Sequence, residues 1–164
     1  MVTRKEVEEL LEKYTAKEFY DQTLAQTELL DYRSKVIVSH IWVELLLECI
    51  IVKKFKNHED LVDFDFSKKQ KIVFGLGIIN EIMNHELKIL NKMRNTFDHE
   101  IDPIGDKIPN IVKKSKFYDE TIISKTDDPV LQSGTYGMIA GISSGAVTRY
   151  LAEILWEIQS NDKK

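Results

Sequence analysis

Val36-Ile-Val-Ser-His40-Ile-Trp-Val-Glu44-Leu-Leu-Leu-Glu48-Cys-Ile-Ile-Val52 is apolar on nearly every face of a helix. A helix that is hydrophobic all round belongs at the centre of a bundle or in a bilayer. Glu48 interrupts the longest apolar run, Leu45 to Val52, and that run is far too short to cross a membrane. The stretch therefore predicts the central helix of an all-α, single-domain bundle with no membrane span. Its polar exceptions, His40, Glu44 and Glu48, fall at i, i+4 and i+8. They form one stripe on a buried helix, and buried carboxylates need partners. The stripe should face something polar or cationic.

The flanking sequence supplies the rest of the bundle. Asp31 precedes the central helix, which should reach about Phe55. Before it, Thr3-x-x-Glu6 and Thr15-x-x-Glu18 are capping-box signatures opening two N-terminal helices, the first over roughly 3–14. After it, 56–65 reads as a connection. Ser67-x-x-Gln70 can cap a fourth helix that ends at Gly75-Leu-Gly77. A fifth helix covers about 84–99, with Leu87, Leu90, Met93 and Phe97 on its core face. Pro103, Gly105 and Pro109 mark a loop, and 104–133 holds a short helix or an extended piece. A last long helix follows Pro129, over roughly 134–159. The expectation is one domain over 1–164, with a core at 31–160 and two N-terminal helices of unassigned role.

A chain of 164 residues can bury a core without disulfides or metals. Its one cysteine, Cys49, lies in the central apolar run and reads as a core residue, which fits a cytoplasmic setting. The N-terminus has no apolar secretory segment. A net charge of -4 argues against a strongly basic nucleic-acid binder. The lysine groups at 68, 69, 71 and at 113, 114, 116 read as solvated faces, and no helix-turn-helix stands out.

The segment Lys92-Met-Arg94-Asn95-Thr-Phe-Asp98-His99 carries the main chemical candidates. A histidine can move a proton at a ribose hydroxyl while an arginine stabilises charge on phosphate, so the pair can cleave RNA without metal. At about 100° per residue, however, Arg94 and His99 lie about 140° apart on one straight helix. The pair converges only if the helix ends between them or if a second subunit completes the site. Asn95 and His99 are i, i+4 neighbours. The alternative is structural: Arg94 pairs with Asp98 or a buried glutamate, and His99 is a surface histidine.

Glu44 and Glu48 can hold Arg94, since a carboxylate is a common holder of a guanidinium. A di-metal bundle would use Glu-x-x-His pairs, and no Glu-x-x-His occurs, so no metal and no cofactor is expected. Gly75-Leu-Gly77 lacks a third glycine and a preceding strand, so it reads as a helix end and tight turn. Gly137, Gly141 and Gly145 form an i, i+4, i+8 row. Each costs about 1 kcal/mol against alanine in a helix. Close approach by another helix, in the same chain or in a dimer, would offset that.

Lys71-Ile-Val-Phe-Gly75-Leu-Gly77-Ile-Ile-Asn80, the helix leading to Arg94-x4-His99, Val43-Glu44-Leu45-Leu46 with Glu48, and Tyr136 to Ile158 together resemble the mannitol operon repressor family. The resemblance covers roughly 36–159. It implies an all-helical transcriptional regulator that lacks its own DNA-binding motif and works as a homodimer through protein partners. Arg94-Asn95-x3-His99 also resembles the motif of the broader HEPN superfamily, many of whose members are metal-independent ribonucleases. That likeness implies an alternative: an endoribonuclease whose cleft is shared by two subunits. Arg94 would contact phosphate, Asn95 would support the site, His99 would be the base or acid, and Glu44 or Glu48 would orient Arg94. RNA is the substrate this alternative implies.

Overall fold

Asp31 starts the central helix. Its Oδ1 accepts from the Ser34 backbone N–H at 3.0 Å and its Oδ2 from the Ser34 hydroxyl at 2.9 Å. These bonds satisfy donors that the first turn leaves unpaired. They also hold the Asp31 carboxyl below its ordinary pKa. The helix, α1, spans Tyr32–Lys54, and Lys53 and Lys54 sit in its last turn, where positive charge complements the helix dipole.

The structure is a computed structural model. It describes residues 5, 6, 9, 13, 15, 18, 20, 21, 30–99, 107–116, 118 and 129–161, with 32, 129–138, 141 and 142 by backbone alone. Six helices are delimited among them: α1, then α2 (Glu59–Val62), α3 (Phe66–Gly75), α4 (Glu81–His99), α5 (Lys107–Val112) and α6 (Pro129–Asn161). No strand occurs among the described residues, so the fold is an all-α bundle. α1 packs against α6, α3 and α4, and α4 packs against α3, α5 and α6.

Val36, Val43, Leu46, Leu47, Cys49, Ile50 and Ile51 of α1 are fully buried. They meet Leu87, Leu90, Met93 and Phe97 of α4 and Val147, Leu151 and Leu155 of α6 in one apolar cluster. Each such side chain stabilises the fold by roughly 1.5–3 kcal/mol relative to exposure. The near-uniform apolarity of 36–52 follows from this enclosure by neighbours on several sides.

Several boundaries differ from the sequence expectation. Asp65, not Ser67, caps α3, with its Oδ1 accepting from the Lys68 N–H at 3.0 Å. α4 begins at Glu81, where the Asn80 side chain accepts from the Met83 N–H at 2.9 Å. α2 interrupts the expected connection at 56–65, and α5 occupies part of 104–133, of which 104–106, 117 and 119–128 lie outside the described residues. α6 starts at Pro129, a residue whose fixed φ and missing N–H suit a first helical position. Gly77 has φ +69° at the turn after α3, a left-handed conformation that a glycine adopts without strain. At the N-terminus the Thr15–Glu18 capping box is formed, with Thr15 N–H donating to Glu18 at 2.8 Å. Lys5, Glu6, Glu9 and Lys13 are helical, and the rest of 3–14 lies outside the described residues.

Candidate functional site

α3 crosses α1 so that Phe66, Lys69, Gln70 and Val73 face inward. Lys69 is only 4 % exposed. Its ammonium donates to Glu44 Oε1 at 2.9 Å and to Glu48 Oε1 at 2.5 Å. The acidic stripe of α1 thus closes on Lys69, not on Arg94. α3 packs directly over the stripe, and its lysine supplies the cation that two neighbouring carboxylates require. Burial alone would lower the Lys69 pKa; its hydrogen bonds to the Glu48 and Glu44 carboxylates, with their negative charge, outweigh it and raise the pKa above the ordinary lysine value.

His40, one turn before Glu44, is also buried and stacks on Phe66 with ring centroids 4.2 Å apart. Its Nδ1 lies 4.0 Å from Glu44 Oε2. Its Nε2 lies 3.1 Å from Asn91 Oδ1 on α4. An amide oxygen only accepts, so the His40 tautomer carries its proton on Nε2. Burial lowers the His40 pKa, against the opposing influence of Asn91 and Glu44, so the neutral ring is favoured. Asn91 Nδ2 then donates to the Ser67 hydroxyl at 3.2 Å. Hydrogen bonds run from His40 through Asn91 to Ser67, and Glu44, bonded to Lys69, lies 4.0 Å from the other side of the His40 ring.

Ser67 and Asn91 open onto a surface groove of about 360 Å³ between α3 and α4. Gln70, Lys88, Lys92, Asn95, Thr96 and His99 complete its lining. Two of the sequence candidates, Asn95 and His99, therefore share one surface. Arg94 does not line it. Its Nη1 pairs with Asp98 at 2.8 Å and donates to Asn95 Oδ1 at 3.2 Å. Arg33 is the guanidinium that reaches across helices, donating to the Phe97 carbonyl at 2.6 Å near the end of α4.

Glu86 is a further buried group, on the opposite side of α4. It is fully enclosed and accepts from the Ser115 hydroxyl at 2.7 Å, the Lys116 N–H at 2.7 Å and the Ser143 hydroxyl at 3.1 Å. His85 Nε2 lies 2.7 Å from the Lys114 carbonyl. Together they pin the segment after α5 to α4 and α6. Of the glycine row, Gly145 faces Tyr20: a Cβ there would lie 3.2 Å from the Tyr20 hydroxyl. The surroundings of Gly137 and Gly141 lie outside the described residues.

Lys69 and Glu86 escape a reading by residue type, yet spacing marks both. Phe66, Lys69, Gln70 and Val73 follow i, i+3, i+4, i+7, and so do Met83, Glu86, Leu87 and Leu90. That is the buried stripe of an amphipathic helix. A charged residue on such a stripe is a buried charge in search of a partner.

No cluster of three or more His, Cys, Asp or Glu suited to a metal occurs among the described residues, and no described helix is long and apolar enough to cross a membrane. No family model, no curated protein and no solved structure matches the chain. What the fold and the groove define is a class: an all-α bundle with a polar, lysine-bearing groove on one helix pair.

Proposed function

We propose that the protein is a transcriptional regulator of the mannitol operon repressor type, acting through protein–protein contacts without a DNA-reading element of its own. The observation that carries this reading is the turn between α3 and α4. Phe74, Leu76 and Ile82 are 36 %, 44 % and 55 % exposed there, around Gly75 and Gly77. Large apolar side chains gathered in solvent are a recognised mark of a protein-docking surface. The net charge of -4 supports a protein partner over the DNA backbone. The test is a transcription reporter for the regulated operon carrying Leu76→Glu together with Ile82→Glu. Repression is lost while the melting transition is retained. If the purified protein alone bound operator DNA specifically, with a steep salt dependence, the contact mechanism would be wrong.

A second reading, a metal-independent endoribonuclease of the HEPN type acting as a homodimer, is favoured by one observation: Asn95 and His99 line the same open groove. Arg94, held by Asp98 and Asn95 within its own helix, would have to be supplied with its partner histidine across the dimer. Cleavage of RNA in the presence of chelator, lost in His99→Ala, is the result this reading requires.

A further inference from the structure

We propose that the groove between α3 and α4 is a binding site for a small phosphate monoester, with the Ser67 hydroxyl, Lys88, Lys92 and the Asn95 amide as its anion-binding groups. Among the described residues the lining contains two lysines and no carboxylate, in a chain with more acidic than basic residues. Neither Lys88 nor Lys92 has an ion-pair partner among the described residues, whereas Lys69 and Arg94 are both paired. The groove therefore gathers cations that no carboxylate among the described residues neutralises.

The Asn95 amide and the Ser67 hydroxyl are also set to donate. Asn95 Oδ1 accepts from Arg94, which leaves the Asn95 N–H₂ group for the groove. Asn91 Oδ1 accepts from His40, and Asn91 Nδ2 donates to Ser67 Oγ. The Ser67 oxygen thus accepts from inside the protein, and its own proton is left to donate outward. The acceptors of both asparagines are consumed by buried or paired groups, so Ser67, Asn95 and the two lysines present donors, while Gln70 and Thr96, whose donors are spent on Asn84 and the Lys92 carbonyl, leave acceptors at the edge. Such a set of donors selects an anion with several acceptor oxygens. His40 is a positioning residue here: it fixes the Asn91 amide through Nε2 and does not reach the groove.

A volume of about 360 Å³ fits a small ligand better than a polymer track. This inference is independent of the apolar turn on which the regulatory reading rests, because a ligand titration reads the groove and the reporter reads the turn.

The experiment is a calorimetric titration of the full chain at low salt with glycerol 3-phosphate, inorganic phosphate, glycerol and a short oligoribonucleotide. Both phosphates bind and glycerol does not. Ser67→Ala and Lys92→Gln each weaken binding about tenfold, the size expected for losing one hydrogen bond to a charged group. Ser67→Thr, which keeps the hydroxyl, restores affinity. Lys68→Gln, which removes an exposed cation paired with Asp65 outside the groove, leaves binding unchanged. Three results overturn the proposal: no binding of either phosphate by the wild type, equal weakening by Lys68→Gln, or binding of an oligoribonucleotide without binding of the small phosphates.

Discussion

His40 donates from Nε2 to Asn91 Oδ1 at 3.1 Å, and this hydrogen bond ties the central helix α1 to the floor of the surface groove. Behind it stand Glu44, Glu48 and Lys69; in front of it stands Ser67. The groove is consequently built on an internal polar frame.

That frame makes stability depend on pH. The folded-state pKa of His40 is lowered by burial. Protons therefore bind the unfolded chain more readily below the ordinary histidine value. The stability contributed by the neutral ring is fully present above about pH 6.5 and is lost as pH falls through the lower folded value. The groups facing the ring are Asn91, Glu44, Arg94 and Asp98, with Phe66 stacked on it. Urea midpoints should fall between pH 7 and pH 5 in the wild type and change less in His40→Gln, which keeps a donor for Asn91. Equal slopes in the two proteins would contradict the assignment.

Lys69→Met leaves Glu44 and Glu48 without their cation. Breaking a buried pair by removing one partner destabilises by about 3 kcal/mol, the lower end of the usual range because Glu44 is partly exposed. Replacing all three, with Glu44→Leu and Glu48→Leu added, should recover most of that loss, since an apolar substitute removes the orphaned charges. Chemical denaturation of the single and triple variants decides this. A triple variant less stable than the single one is the contrary result.

Glu86→Ala removes the acceptor shared by the Ser115 and Ser143 hydroxyls and the Lys116 N–H. A loss of about 1–3 kcal/mol is expected, the usual cost of taking the acceptor from a buried donor. Glu86→Gln, which keeps acceptor oxygen, should lose less. Hydrogen exchange should accelerate at 113–116 in Glu86→Ala before it does so in α1.

The α3–α4 turn gives a paired prediction with opposite signs. Gly77 has φ +69°, so Gly77→Ala is strained and destabilises by about 1 kcal/mol. Gly75 ends α3 in an ordinary helical conformation with nothing within 4 Å of an added Cβ. Gly75→Ala should stabilise by about 0.4–1 kcal/mol. Thermal melts of the two variants check the pair.

The helices were legible where apolar spacing is unbroken. Val36 to Val52 announces a central helix, and Leu87, Leu90, Met93 and Phe97 form the core face of α4 as their spacing requires. The boundaries were less legible because caps compete: Asp65 and Ser67 are both good N-caps, and only packing selects Asp65. Within the candidate site, a polar or cationic partner for Glu44 and Glu48 could be anticipated. Its identity could not, because Lys69 lies in a run of lysines that composition makes look solvated. The groove joins α3 to α4, and sequence spacing within one helix cannot reveal a surface shared by two.

The sharpest measurement is the fate of RNA incubated with the purified protein in the presence of chelator, wild type beside His99→Ala. Arg94 is held by Asp98 and Asn95 and stands apart from the groove that His99 lines. A regulator working through contacts leaves the RNA intact in both samples. Cleavage by the wild type that disappears in His99→Ala would contradict that account and establish the ribonuclease in its place.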